Sequence, residues 1–450
     1  MKRFSKTMLL GAALSTGCLG QVITSQYDNS RSGADLHETT LTPQNVNTDQ
    51  FGRLFSLRVD GDVYAQPLYL AGLEIPGKGK HDVVFVATEH DSVYAFDAEG
   101  QPRTPLWHVN FTNAEHGETT VDGRDVQCPF INPEIGITST PVIDPTTGTL
   151  YVLARTKTGN KTSGFHYFQR LHALDVTNGA ERTGSPVEIH ASIKAPASGS
   201  DLDFDPLIEN PRSALLLAGG NVFLMWGSSC DVGKYHGWVM AYDARSLEQK
   251  AVLNTSPNDK ESGIWASDTG PAADQSGNVF VATGNGKFDA PKGLDYGDTL
   301  LKLRLENGAL IVGDYFTPSN EAELNKADND LGSGGPLLLP DQPGTRPHLV
   351  LIGGKGGTLY AIDRDRMGKF QQSNDSPVDA VRLGGSLLAA PAYWNGDVYV
   401  FANNDVLKDF TWSDGHLHLN AQTPGGPFDP GATPTISANG DKDGIVWTIS

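Results

Sequence analysis

Cysteine is scarce: the 450 residues hold three, at positions 18, 128 and 230, and none is in a Cys-x-x-Cys pair. A zinc ribbon and a thioredoxin-type redox site are therefore excluded. Long apolar runs are missing too. The apolar stretch near the N-terminus, residues 8–14, is far too short to span a bilayer, so no transmembrane segment is expected. Basic charge is also short, with 34 Lys and Arg against 53 Asp and Glu, a formal net charge of −19. Such a surface repels phosphate backbones and offers no basic face to a membrane, so nucleic acid is not an expected partner. No apolar pattern of helical period runs for a useful length.

What is present is turn chemistry. The chain has 51 glycines and 27 prolines spread along its length, which favours many short strands over long helices. At the N-terminus, Lys2, Arg3 and Lys6 precede the apolar run, and Ser15, Thr16 and Gly17 follow it. That is the order of a signal peptide over residues 1–20, so the protein is expected to be exported, to the periplasm, the cell surface or the medium. Residues 14–18, Leu-Ser-Thr-Gly-Cys, resemble a lipoprotein signal in which Cys18 becomes the lipidated first residue. Ordinary cleavage just before Gln21 is the alternative. Residues 21–52 are polar and rich in Asn, Ser, Thr and Gln, and read as an extended arm.

From residue 53 onward the sequence repeats itself. One unit reads Ala-Gln-Pro-Leu-Tyr-Leu (65–70), Val-Val-Phe-Val-Ala-Thr (83–88), Ser-Val-Tyr-Ala-Phe-Asp (92–97) and Leu-Trp-His-Val-Asn-Phe (106–111). The next reads Ser-Thr-Pro-Val-Ile-Asp (139–144), Thr-Leu-Tyr-Val-Leu-Ala (149–154), Arg-Leu-His-Ala-Leu-Asp (170–175) and Val-Glu-Ile-His-Ala (187–191). Further units start near Ala214, Pro271, Pro336, Pro391 and Pro434. Four short β-rich segments split by turn residues make a small antiparallel sheet, and such sheets bury both faces by stacking around an axis as a β-propeller.

Val-Tyr-Ala-Phe-Asp, Leu-His-Ala-Leu-Asp, Met-Ala-Tyr-Asp and Leu-Tyr-Ala-Ile-Asp resemble the pyrroloquinoline-quinone (PQQ) type propeller repeat, which also places Ala- or Thr-Pro at the first strand and Trp at the fourth. The resemblance covers roughly residues 52–450 and is similar in kind to quinoprotein alcohol dehydrogenases and to non-enzymatic propellers. It implies an all-β propeller of four-stranded antiparallel blades over residues 53–450. Six blades are complete, and a seventh is cut short. Residues 53–59 are expected as a closing outer strand, and truncation from an eight-bladed parent is favoured over an irregular seventh blade.

In a propeller, the loops entering each first strand and those joining second to third strands gather at one end of the axial channel, where ligands bind. Among the residues there, Arg155 or Lys355 could pair the carboxylates of PQQ, Trp265 could stack on its ring, Glu134 and Asn285 could hold calcium, and Asp330 could act as a base. Against this stand two departures from the active quinoproteins. The chain lacks their pair of adjacent cysteines and any Cys-x-x-Cys-His for haem. The expected function is a non-catalytic scaffold or a module binding a protein or small molecule at the propeller mouth, with a PQQ- and calcium-dependent dehydrogenase of alcohols or sugars as the alternative. Cys128 and Cys230 lie in loops of neighbouring blades at that same end, so a disulfide is expected, two buried thiols being the other possibility. The denatured, unreduced mature protein should then titrate no thiol from these two positions, and two titratable thiols would remove the bridge.

Overall fold

In blades 1, 2, 3 and 5 an aspartate ends the third strand and makes the repeat a hairpin. Asp97, Asp175, Asp243 and Asp363 each accept a hydrogen bond from the peptide N–H two residues on, at 2.9, 2.8, 3.0 and 2.9 Å. A short acceptor at that place closes a tight turn and sends the chain back along the sheet. The Trp of the fourth strand serves the next blade. Trp107 donates from Nε1 to the Val176 carbonyl at 2.8 Å and lies over Gly179, whose φ of 73° and missing Cβ leave room for the ring.

The computed structural model describes residues 20–449 apart from 267, 291, 374 and 376. The expected signal peptide and Cys18 lie outside the described residues. Within them the chain is a seven-bladed, all-β propeller, with one short α-helix, Glu321–Lys326. First strands begin immediately after the expected positions: Leu68–Ile75, Val142–Asp144, Leu216–Ala218, Ala272–Ala273, Leu337–Leu338, Ala392–Trp394 and Thr435–Asn439. Blades 1 to 6 each add three further strands in antiparallel order.

Six apolar clusters fill the contacts between successive blades. Leu68, Phe85 and Ala95 of blade 1 meet Ile143, Leu150 and Val152 of blade 2. The series continues to Ala392 of blade 6 against Ile436 and Ala438 of blade 7. Among the described residues no such cluster joins blade 7 to blade 1.

That junction is spanned by the N-terminal arm, which enters the axial channel and visits every blade. Gln21–Val22 pairs with Leu70 and Tyr69 of blade 1. The Ile23 carbonyl accepts from Ile143 N of blade 2, and Asn29 Nδ2 donates to the Leu217 carbonyl of blade 3. The carbonyls of Asn29, Ser30, Ser32 and Gly33 then accept from Ala273, Leu338, Tyr393 and Ile436 of blades 4 to 7, at 2.7, 2.9, 2.8 and 2.7 Å. Ala34–Asp35 ends the circuit as a parallel strand on blade 7. The inner edges of the first strands would otherwise present bare N–H groups to the channel. Following so tight a circle needs left-handed backbone at Gln26, Tyr27, Arg31 and Gly33, with φ of 57°, 71°, 62° and 71°. Arg31 is fully buried at the centre. Its guanidinium donates to Pro271 O (2.8 Å), Ser25 O (2.7 Å), Thr24 Oγ1 (2.8 Å) and Leu215 O (3.4 Å). Lost solvation pulls its pKa down to about 10, so it stays charged at neutral pH.

The expected outer strand at residues 53–59 is not formed. Among the described residues its peptide groups make no backbone hydrogen bond, because blade 7 holds only the strands Thr435–Asn439 and Lys442–Trp447 beside the arm, and a fourth strand has no third to pair with. The segment nevertheless runs from blade 7 to blade 1: Phe51 lies 5.3 Å from the Trp447 ring, and Phe55 fills the space over Gly100. Replacing Arg31 with Met should cost about 3–5 kcal/mol, since it strands buried carbonyls of the arm and of blades 3 and 4. Urea unfolding of the two proteins measures it, and a loss under about 1 kcal/mol would show the arm to be dispensable.

Candidate functional site

The loops entering the first strands of blades 1, 2, 3, 4 and 7 surround a funnel of about 610 Å³. Gln26 of the arm lines its inner end, with its own N–H on Gln66 Oε1 at 3.1 Å. Tyr64, Asn210, Arg212, Asp268 and Thr433 line the polar side, and Phe130, Ile131 and Ile135 the apolar side. The Cys128–Cys230 disulfide stands in this wall, with a Cα separation of 5.6 Å. It pins the loop entering blade 2 to the second-to-third strand loop of blade 3, and a small apolar cluster of Val121, Val126 and Ile135 backs it.

Arg212 is solvent-accessible inside the funnel yet deeply surrounded by protein. Lost solvation lowers its pKa, while Asp268, Asp330 and Asp231 pull it back. Its guanidinium carbon lies 5.8 Å from the Trp265 ring centre, a cation–π contact. Arg212 went unnoticed in the sequence, although it directly follows Pro211 at the position where loops enter a first strand.

Four residues singled out from the sequence do come together, one step behind the funnel wall. Asp330 Oδ1 accepts from Trp265 Nε1 at 3.1 Å and from the Asn285 N–H at 2.8 Å, and Asp330 Oδ2 pairs with Lys355 Nζ at 2.5 Å. Asp328 completes the group, taking Asn285 Nδ2 at 2.6 Å and Lys355 Nζ at 3.1 Å. Gly284 makes this possible, because a Cβ there would sit 2.1 Å from Asp330 Oδ1. Burial works to lower the Lys355 pKa, but Asp330 and Asp328 outweigh it and the net shift is upward.

Arg155 and Glu134 are elsewhere. Arg155 is fully buried and donates to Asn210 Oδ1 (3.2 Å), Pro206 O (3.3 Å) and Leu207 O (3.0 Å), which fixes the loop leading into blade 3. Burial lowers its pKa to about 10. Glu134 Oε2 is 2.8 Å from His90 Nδ1 and accepts from Thr120 Oγ1 at 3.0 Å. Its partners and those of Asn285 are different sets. Among the described residues no three His, Cys, Asp or Glu side chains converge as a metal site.

Several carboxylates are buried between blades. Glu89 accepts from Gly136 N and Thr138 Oγ1, yet lost solvation pushes its pKa up to about 7. Asp298 accepts from Leu331 N at 2.8 Å and burial raises it to about 8, with Asp330 and Glu321 adding to the rise. Burial also raises Asp91 and Glu209 well above the usual carboxylate range. Glu89, Asp298 and Glu209 each accept from a loop or strand of the same blade or its neighbour and act as joints, whereas both carboxylate oxygens of Asp91 are buried without a hydrogen-bond partner.

No protein-family model and no curated protein matches the chain in sequence. Solved structures do match in shape. The quinohemoprotein alcohol dehydrogenase ADHIIG from Pseudomonas putida HK5 is similar over 88% of this chain and 58% of its own, with a TM-score of 0.57 and 15% identity. A europium-containing methanol dehydrogenase is similar over 88% of this chain and 71% of its own, with a TM-score of 0.52 and 14% identity. At these identities the likeness is one of fold, and this chain spans 58% of the first enzyme's length.

The buried acids set a pH dependence. Their folded pKa values lie above those of the unfolded chain, so the stability they contribute is full below about pH 4 and is lost as pH rises through about 7 for Glu89 and about 8 for Asp298. Urea midpoints should therefore fall from about pH 5 to about pH 9, and Asp298→Asn should recover about 1–3 kcal/mol at the alkaline end. An unchanged decline in that variant would assign the effect to other groups.

Proposed function

We propose that this protein is an exported, non-catalytic propeller that binds through its funnel, either a small molecule or a group presented by a partner protein. The observation that carries this reading is Arg212: a cation accessible inside a funnel whose lining also includes Phe130 and Ile131, in a chain of net charge −19. A cation beside an apolar wall favours an organic anion with an aromatic or aliphatic body. The polar residues behind the wall engage one another, so they support the funnel and leave recognition to its lining.

The quinone- and calcium-dependent alternative is favoured by the fold likeness to the alcohol dehydrogenase. The residues present do not fit those groups well. Arg155 has spent its forks on backbone carbonyls, and Trp265 is buried with its indole N–H on Asp330 and Arg212 against its ring. The proposed calcium ligands, Glu134 and Asn285, have separate partners. No reaction step is therefore derived through either group.

Two titrations separate the readings. With 8-anilinonaphthalene-1-sulfonate as probe, the funnel reading predicts saturable binding that Arg212→Gln weakens about tenfold. With PQQ and calcium, it predicts no bound chromophore and no dye reduction with alcohols. A bound quinone that supports dye reduction would replace the scaffold reading by the dehydrogenase.

A further inference from the structure

The arm divides the axial channel, and the funnel occupies one side of it. On the other side, the turns between first and second strands of blades 4, 5 and 6 surround a second cavity of about 750 Å³. That size is within the range of small-molecule sites. These turns stand at the opposite ends of the first strands from the loops that shape the funnel. Gln26 of the arm lines the funnel, whereas Ser30 and Ser32 line the second cavity. The lining carries donors with capacity to spare. Arg364 directly follows the third strand of blade 5, Thr358–Asp363, and is 8% exposed. Its Nη2 donates to the Leu339 carbonyl at 3.3 Å, its Nε is buried with no partner, and its Nη1 has none among the described residues. Lys302 Nζ donates to the Arg364 carbonyl at 2.8 Å. Among the described residues neither cation has a carboxylate in ion-pair range. Burial lowers the Arg364 pKa, and Asp274, Asp341 and Asp365 offset part of the fall from a distance. Acceptors share the lining. Asp365 Oδ2 is 2.7 Å from His348 Nδ1, and its other oxygen has no protein partner among the described residues. Tyr393 and Trp394, in the first strand of blade 6, add two half-buried aromatic rings. The Trp394 ring is held in place: Nε1 donates to the Gly440 carbonyl at 2.9 Å, and the ring lies over Gly444, where a Cβ would come within 2.3 Å of it.

We propose that this cavity is a second ligand site, built for a neutral saccharide. Charges of both signs line it, so net attraction draws in neither an anion nor a cation. A sugar hydroxyl both donates and accepts, so it engages guanidinium and ammonium N–H groups together with carboxylate oxygens. The C–H face of a pyranose ring is apolar and packs on an aromatic side chain, here Tyr393 or Trp394. The funnel offers a different set, with Phe130, Ile131 and Ile135 in one lining with Arg212. The two ends of the channel therefore take different ligands, and the saccharide site does not rest on the reading of the funnel.

Cellobiose, maltose and lactose are the probes, titrated calorimetrically into the full chain beside glucuronate and glucosamine. Saturable binding of at least one neutral disaccharide is expected, little changed between low and high salt, because no net charge is paired. Lys302→Met keeps the apolar stem and removes the ammonium, and Asp365→Ala removes an exposed acceptor. Both leave Arg364 in place, and each should weaken the bound sugar about tenfold with the melting temperature nearly unchanged. 8-Anilinonaphthalene-1-sulfonate, the funnel ligand, should not compete with the sugar. No binding of any of the three disaccharides overturns the proposal, as does tighter binding of glucuronate or glucosamine than of the neutral sugars. Full affinity in both variants overturns it too, and competition by the anilinonaphthalene would place the sugar in the funnel instead.

Discussion

The Arg31 guanidinium, buried at the hub, is the interaction on which the rest of the ring depends. Its four hydrogen bonds hold two turns of the arm and the first strands of blades 3 and 4 in one small volume. Around it the arm supplies an acceptor to one blade after another, so the inner edges of the sheets end in hydrogen bonds rather than in an open channel. Each such bond contributes about 0.5–1.5 kcal/mol net, but leaving its donor buried and unmade would cost more. A charge with no carboxylate in ion-pair range among the described residues is expensive to bury. The hub is stable only because every fork of the guanidinium meets oxygen.

This hub also determines what the funnel can be. With the arm across the axis, the funnel has a floor at Gln26. The disulfide and the buried Arg155 hold two of the loops that shape the mouth, while Asp330 and Lys355 hold the wall behind Trp265. Residues that look chemical in a sequence thus spend their chemistry on one another, and rigidity is the result.

Much of the fold was legible because blades are local. Alternating apolar residues, a proline before six of the seven first strands and an aspartate ending four of the third strands are short-range signals, and the strands fall where those signals stand. The Cys128–Cys230 bridge followed from placing both loops at one end of the ring. The path of the arm was not legible. Its hydrogen bonds to the blades run mainly through carbonyls of Ile23, Asn29, Ser30, Ser32 and Gly33, and carbonyl positions leave no trace in residue type. Arg31, read as one more polar residue in an arm, carries no pattern that marks burial. Residues 53–59 have the alternation of a strand, but strand formation needs a partner, and the sequence of one segment does not say whether the partner is there. The site was legible in part. Trp265, Asn285, Asp330 and Lys355 were found as a group of polar loop residues, and the structure makes them a network; Arg155 and Glu134 joined other partners because burial and register, not residue type, decide which loops touch.

Hydrogen exchange at the hub tests the account most directly. The inward N–H groups of Ala273, Leu338, Tyr393 and Ile436 belong to four different blades but share one acceptor segment. If the arm ties the ring together, these four amides exchange only through global unfolding, with a common free energy close to that of the whole chain, and Arg31→Met lowers all four together. Exchange of the four at separate rates, each set by its own blade and unmoved by the Arg31 substitution, would contradict the central role given to the arm.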